Sequence, residues 1–331
     1  MAVTDVGVAA GGLGKTVAAA IVQFNKAAVT PKTITMVPAL AGSNTVQIPV
    51  YSKMAASAVT NSASGAEETT GSAASITSAA VTLEVLRNNV YAQVTDLAAH
   101  GNSDALMVNA GKILGNAVAA EFDNHVCALF DGFATSKGTS TEGLRWLDIM
   151  DAVASLETND APRPYAAVLH PLQMYGSFGL SNELGQIAAV NGSNGAFAGG
   201  SSASEQFMGA GFVTSLAGID FFTSPQVADG SDSTEKKGAI YAKSALGCGY
   251  IDFGGGNFIQ LETQRQAAEA GTDIVANGYW EIAETVDLHG VEIFTEISYF
   301  LWYSFNLQGW CLNSYPCILR ELWQIRKILV I

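Results

Sequence analysis

The sequence predicts an α+β fold organised around one long helix. The stretch Asn102 to Phe133 contains no helix breaker between its terminal signals. Before it lie runs in which apolar and polar residues alternate, which is the period of a half-exposed strand. After it come shorter helical and strand patterns that are separated by glycine and proline. Together these observations predict strands on both sides of a single dominant helix.

Composition predicts a protein that packs against copies of itself. The 331-residue chain is long enough for about two or three folding units. Hydrophobic residues make up 49% of it and charged residues only 14%, whereas a soluble monomer usually carries about a quarter charged residues. Close subunit packing favours small, uncharged contacts, so this composition indicates a surface largely covered by other subunits.

Net charge and cysteine content further restrict the class of protein. The formal net charge is −14, which disfavours nucleic-acid binding because phosphate contacts depend on clustered lysine and arginine. The four cysteines show neither a CxxC pair nor the spacing of metal ligands, so we expect reduced thiols in a cytoplasmic setting. No signal peptide and no run of about 18 apolar residues is present, so no membrane span is predicted.

Residues 1 to 45 are predicted to form an extended N-terminal arm. Within it, Gly14, Lys15 and Thr16 end a loose phosphate-loop pattern, AAGGLGKT. In such a loop backbone N–H groups hold phosphates, the lysine contacts the terminal phosphates and the threonine binds magnesium. The pattern requires a buried strand before it, and VTDVGV is a poor one. We therefore predict a flexible arm and no cofactor, with nucleotide binding as an alternative.

A long hairpin is predicted between the arm and the helix. Asn44 to Ser52 alternates apolar and polar residues, and Ser75 to Ala98 does so over one or two strands. The segment Lys53 to Ser75 between them is small and polar, with too little apolar surface to form a core. An isolated projecting hairpin is only marginally stable, so we expect a partner subunit to pack on it.

The long helix is predicted to begin at Asn102 or Ser103, which suit the N-cap, and to end before Gly132 in a left-handed conformation. Apolar residues at spacings of three and four define its buried face: Leu106, Ala110, Ile113, Leu114, Ala117, Val118, Phe122, Val126, Leu129 and Phe130. Its polar residues are assigned to other faces: Asn109, Lys112, Asn116, Asp123 and Asn124.

Further elements are predicted after the helix. Leu144 to Glu157 has one apolar face and predicts an amphipathic helix. Tyr165 to Leu169 predicts a buried strand, and a short helix is expected to start at His170-Pro171. Two strands are expected around a turn at Ala217-Gly218, and the last strand is predicted from Gly278 to Ile293.

The C-terminal segment, residues 298 to 331, differs in composition from the rest. It contains three of the five tryptophans and has three basic residues against one acidic residue, a net charge of +2. Ile318, Leu322, Ile325 and Leu329 fall on one helical face, a pattern that suits a membrane surface or a partner groove. A poorly integrated extension is the alternative.

No active site is predicted. The four histidines fall in different segments, and none has a second histidine or a cysteine at ligand spacing: His100, His125, His170 and His289. The adjacent carboxylates Glu67 and Glu68 lie in the small-residue part of the hairpin, where a solvated loop is expected rather than acid–base catalysis. We therefore expect no catalytic residues and no metal site.

The order of these parts resembles the Hong Kong 97-type fold of tailed-bacteriophage major capsid proteins. The resemblance covers about residues 1 to 297. Within it, PYAAVLHPLQMYG (164 to 176) is similar to the entry to the axial domain, and ETVDLHGVEI (284 to 293) is similar to the closing strand. It implies these parts: N-arm 1–45, E-loop 46–100, peripheral domain 101–165 with the spine helix, axial domain 166–264, return strands 265–297 and an atypical extension 298–331.

The resemblance implies a structural role and no enzymatic one. The chain would assemble with itself into pentamers and hexamers of an icosahedral head, which encloses double-stranded DNA without sequence-specific binding. Scaffold, portal and decoration proteins are further implied partners, and the implied location is the virion, after assembly in the host cytoplasm. The candidate inter-subunit contacts are Tyr51, Lys53, Met54, Glu67, Glu68 and Arg87. An encapsulin-like compartment shell is the alternative within the same fold, and the phosphate-loop protein is the alternative from another class.

Overall fold

The structure is a computed structural model that describes residues 19–25, 27–40, 42–51, 78–176, 179–181, 212–253 and 257–297. The helices are α1 (Asp96–Ala128), α2 (Trp146–Thr158) and α3 (Pro171–Tyr175), together with a helical stretch at 19–25. The strands are β1 (Thr35–Pro38), β2 (Thr45–Tyr51), β3 (Ser78–Glu84), β4 (Leu86–Thr95), β5 (Ser136–Lys137), β6 (Tyr165–Leu169), β7 (Phe212–Leu216), β8 (Ile219–Thr223), β9 (Glu235–Ala242), β10 (Leu246–Tyr250), β11 (Ile259–Gln266), β12 (Gly271–Glu284) and β13 (Gly290–Glu296).

These strands form three sheets. In the first, β12 pairs antiparallel with β4, β10 and β11, and β1 pairs parallel with β10. The second has six strands in the order β5-β13-β9-β6-β8-β7. The third is the two-stranded pair β2–β3. Strands lie on both sides of α1 in the chain, as the α+β prediction required, and the predicted hairpin is present in its described part.

The main core lies between α1 and the first sheet. Leu114, Val118, Phe122 and Val126 recur every four residues along α1, and each is at most 2% exposed. Such a stripe faces one direction because 3.6 residues make a turn. Phe122 meets Trp280 of β12 with ring centroids 5.4 Å apart. Burying each large side chain of this stripe stabilises the fold by about 1.5–3 kcal/mol.

A second core lies beneath α2. Ile149, Val153 and Leu156 are buried on one face of this helix and belong to the same cluster as Ile240 of β9 and Ile293 of β13. The amphipathic helix predicted from Leu144 to Glu157 is therefore confirmed, displaced by one or two residues. The strand Tyr165–Leu169, the short helix after His170 and the strand pair around Ala217-Gly218 are confirmed as well.

The predicted start and end of the long helix are wrong. α1 begins at Asp96, directly after β4, and continues through Asn102 and Ser103. Asp96 itself suits the first turn of a helix, since a carboxylate interacts favourably with the positive end of the helix dipole. At the other end α1 stops at Ala128, and Gly132 lies in a separate 3-10 turn.

The last predicted strand is also wrong, because Gly278 to Ile293 spans parts of two strands in different sheets. β12 ends at Glu284, a 3-10 turn follows at Asp287–His289, and β13 then pairs with β9. After β12, the backbone N–H groups of Thr285 and Val286 both donate to the carbonyl oxygen of Ala245, which precedes β10. The predicted axial–peripheral boundary after residue 264 falls inside β11, and the proposed division into domains remains a prediction.

Candidate assembly interface

The base of the predicted E-loop is a hairpin packed on the first sheet. β2 and β3 pair antiparallel, from Thr45 opposite Glu84 to Tyr51 opposite Ser78. The side chains that point inward form a small buried cluster of their own: Val46, Ile48, Leu83 and Val85. Tyr279 and Ala283 of β12 pack against that cluster. The hairpin base is thus fixed to the body of the subunit by apolar contacts.

Two glycines of β10 permit this close packing. A Cβ atom on Gly249 would lie 2.9 Å from Cβ of Val46, and one on Gly247 would lie 2.4 Å from Cδ1 of Ile48. Neither contact is compatible with a side chain in the present arrangement. Glycine inside a strand often marks a place where another segment approaches closely, and here that segment is the hairpin.

The far end of the described hairpin is open to a partner. Tyr51, the last paired residue of β2, is 66% exposed. Within the described ranges β2 and β3 pair only with each other, so each strand leaves one edge of unpaired backbone N–H and C=O groups. Such an edge readily accepts a strand from another chain.

The arm is attached to α1 through a buried carboxylate. Asp123, which is 3% exposed, accepts hydrogen bonds from Thr30 Oγ1 at 2.6 Å, from Thr30 N at 3.0 Å and from Val29 N at 3.1 and 3.2 Å. Burial raises the pKa of Asp123, and the hydrogen bonds from Thr30 and Val29 oppose that rise. A single side chain therefore fixes a segment more than ninety residues earlier in the sequence.

Further contacts hold the same part of the arm. The hydroxyls of Thr33 and Tyr241 lie 2.6 Å apart, and β1 then pairs with β10. The helical stretch at 19–25 crosses α1 so closely that a Cβ on Gly115 would lie 2.4 Å from the carbonyl oxygen of Ala20. The arm from about residue 19 onward is thus built into the subunit.

The face of the first sheet opposite α1 carries two buried polar side chains, Asp273 and Asn277. Side chains alternate between the two faces of a strand, so Asp273 points away from α1 while its neighbour Ile274 lies in the main core. Tyr91 of β4 donates to the Asp273 carboxylate, which raises the pKa of Tyr91. Nearby, Arg87 Nε donates to Asn277 Oδ1 at 2.9 Å.

The predicted contact residues fall into two groups. Tyr51 and Arg87 are exposed, the first at the end of the hairpin and the second at the start of β4 in another sheet. The other predicted contacts lie outside the described residues: Lys53, Met54, Glu67 and Glu68. The phosphate-loop residues Gly14, Lys15 and Thr16 and the extension 298–331 also lie outside them.

Sequence reasoning missed the burial of Asp123, which it assigned to a face of the helix other than the buried one. The other four polar residues assigned there are indeed exposed: Asn109, Lys112, Asn116 and Asn124. A signal for Asp123 was present, because it lies four residues after buried Ala119 and four before buried Cys127. A carboxylate at that register on an apolar face predicts a buried hydrogen-bonding role.

The described residues contain no cluster of three or more His, Cys, Asp or Glu side chains arranged to hold a metal ion. Their helices include none that is long and apolar enough to cross a membrane.

Comparison of sequences gives no relative, since no protein-family model and no curated protein matches the chain. Comparison with solved structures finds similar proteins. The capsid of the cyanophage P-SCSP1u aligns with a TM-score of 0.54 and 17% identity, over 83% of this chain and 90% of the cyanophage chain. The capsid of Ralstonia phage GP4 aligns with a TM-score of 0.61 and 10% identity, over 82% of this chain and 91% of that one.

An encapsulin aligns to a similar degree. The holo-SrpI encapsulin complex from Synechococcus elongatus gives a TM-score of 0.55 and 10% identity, over 87% of this chain and 90% of the encapsulin chain. At these identities the similarity establishes the fold. The chain has the Hong Kong 97-type fold of phage capsids, as the order of its parts predicted.

Proposed function

We propose that the chain is the major capsid subunit of a tailed-bacteriophage head and has a structural rather than a catalytic role. The observation that carries this proposal is the Hong Kong 97-type fold, which spans 90–91% of two phage capsid chains. The chain would assemble with itself as pentamers and hexamers in the host cytoplasm and reside in the virion. Scaffold, portal and decoration proteins would be its further partners.

The surfaces of the subunit suit this role. The hairpin base is anchored in its own subunit while the strand edges and Tyr51 face outward, so the hairpin is placed to pack on a neighbour. Many such modest contacts, repeated around a closed shell, give a stable assembly through avidity. The contacts we propose are those expected from the sequence: Tyr51, Lys53, Met54, Glu67, Glu68 and Arg87.

Net charge supports an enclosing role toward DNA. With −14 at pH 7, the chain has little basis for counterion release from the phosphate backbone. Packaged DNA would therefore be held inside without sequence-specific contacts. For the subunit we propose this division: N-arm 1–45, E-loop 46–100, peripheral domain 101–165 and 265–297, axial domain 166–264, and extension 298–331.

An encapsulin-like compartment is the second candidate, because the Synechococcus encapsulin aligns with a TM-score of 0.55. The two functions differ in what the shell contains. Protein cargo copurifying with shells from the native source would favour the compartment, and DNA would favour the phage head.

The test is to express the full chain and a version that ends at Ile297 and to image both by negative-stain electron microscopy. Closed shells of uniform diameter from either version support the proposal, and a difference between the versions assigns a role to residues 298–331. Monomers and small oligomers from both versions over a range of concentration and salt would contradict it.

A further inference from the structure

The last turn of α1 carries a histidine whose two ring nitrogens have opposite roles. His125 Nδ1 accepts a hydrogen bond from Nε1 of Trp280 on β12 at 3.2 Å. On the other side of the ring, Nε2 lies 3.1 Å from Oε1 of Glu121, one helical turn earlier. An indole N–H group only donates, and an ionised carboxylate only accepts. Both contacts are therefore made together by neutral His125 with its single ring proton on Nε2.

Trp280 is packed so that its N–H group cannot readily turn to another acceptor. The residue is 1% exposed, and its ring lies against Phe122 and Phe258 with centroids 5.4 and 5.9 Å away. The indole also covers Gly278, where an added Cβ would lie 1.8 Å from Cζ3 of Trp280. A buried donor that loses its acceptor costs more free energy than the hydrogen bond contributed. The indole therefore depends on Nδ1 of His125.

The charges around His125 favour the other, protonated form of the ring. Glu121 on α1 and Glu281 on β12 both interact with it as carboxylates. The negative end of the helix dipole also favours a cation in this last turn. Asp123, two residues earlier, is bound to the arm instead, and Cys248 of β10 interacts with Glu281. The His125 side chain is 39% exposed, so protons from solvent can reach it.

We propose that His125 is a proton-operated contact between α1 and β12, the strand at the centre of the first sheet. The neutral ring accepts the N–H group of Trp280. In the protonated ring both nitrogens are donors, so the ring turns toward Glu121 and Glu281 and releases the indole. Proton uptake thus acts directly on the packing of α1 against the sheet. The contact lies within one subunit, so this inference does not depend on the proposed shell function.

Tryptophan fluorescence of the full-length chain tests this between about pH 8 and about pH 5.5, the range in which histidine ordinarily changes charge. A protonated imidazole quenches a neighbouring indole, so we expect emission to be lost as the pH falls. The matched variant is His125→Asn, whose side-chain oxygen can accept from the indole but does not titrate, and its emission should stay constant. A loss of the same size in both proteins, or in neither, would overturn the proposal.

Hydrogen exchange of the Trp280 side chain measures the bond itself. It is read by NMR of ¹⁵N-labelled chain, with the indole signal assigned from Trp280→Phe. Dividing each rate by that of His125→Asn at the same pH removes the intrinsic pH dependence of exchange. We expect this ratio to rise about tenfold at the lower pH, since one buried hydrogen bond is lost. A constant ratio would refute the release of the indole.

Two more variants keep the test decisive if His125→Asn fails to fold. Glu121→Gln removes one carboxylate that attracts the protonated ring, so the loss of emission should move to lower pH without disappearing. His125→Phe has no acceptor, so its indole should exchange fast at both ends of the pH range. An unmoved transition in Glu121→Gln together with slow exchange in His125→Phe would also overturn the proposal.

Discussion

The attachment of the arm to α1 through Asp123 makes a quantitative prediction. Asp123→Ala removes the acceptor of three donors, the N–H groups of Val29 and Thr30 and the hydroxyl of Thr30. Each buried donor left unsatisfied costs about 1–3 kcal/mol. Relief from burying a carboxylate, whose pKa burial raises, offsets part of this cost. We expect a net loss of about 2–4 kcal/mol, a large fraction of the 5–15 kcal/mol typical of a domain.

Two related variants separate the contributions. Asp123→Asn keeps one oxygen acceptor and should cost about 1–2 kcal/mol. Thr30→Val removes only the hydroxyl donor and should cost about 1 kcal/mol. Because both side chains belong to one hydrogen-bond group, the double variant Asp123→Ala/Thr30→Val should be less destabilised than the sum of the two by about 0.5 kcal/mol or more.

The assay is urea unfolding of unassembled subunits, combined with hydrogen exchange at the amides of Val29 and Thr30. Exchange at these amides should rise in Asp123→Ala more than at amides in β9. Asp151→Ala, an exposed carboxylate on α2, should change the free energy of unfolding by less than about 0.5 kcal/mol. If Asp123→Ala behaves like that control, Asp123 is not the attachment point of the arm.

Two further predictions concern the hairpin base and pH. Gly249→Ala should lower the free energy of unfolding in urea by about 1–3 kcal/mol, because the new Cβ would lie 2.9 Å from Cβ of Val46. The control is Gly132→Ala, whose Cβ would make only an ordinary 3.4 Å contact. Equal effects of the two substitutions would contradict the packing argument. Burial, together with the charge of Lys236, lowers the pKa of His170 to about 4, so the folded state resists protonation. The contribution of neutral His170 to the free energy of unfolding should be fully present above about pH 6.5. It should fall as the pH drops toward 4. In His170→Asn the urea midpoint should depend less on pH across that range. An unaltered pH dependence would contradict the role of His170.

The sequence predicted the elements whose spacing is local and missed the contacts between distant segments. The helical period predicts the stripe from Leu114 to Val126, although Ile113, which it places on the same buried face, is 69% exposed. The alternation in Thr45 to Tyr51 predicts one buried face of a strand. The helix start was misplaced because two good N-cap residues, Asn102 and Ser103, lie inside α1. A cap residue marks a helix end only when the preceding residues leave the helix, and here residues 96–101 are still helical.

The missed contacts share one physical cause, which is that their partners are far apart in the chain. Asp123 is explained only by Thr30, and Gly249 only by Val46. A polar residue on a helix or a glycine in a strand has many local explanations, so its type alone does not identify the segment it serves.

These long-range contacts bear on how a shell could assemble. Ordering a loop or side chain at an interface costs free energy that must come out of the binding energy. The bonds from Asp123 and the packing on Gly249 fix the end of the arm and the base of the hairpin within the isolated subunit. That part of the ordering cost is therefore met during folding, before a neighbour arrives. Loosening either anchor should weaken the proposed assembly by more than its loss of contacts predicts, because the cost of ordering is then transferred to every interface of the proposed shell.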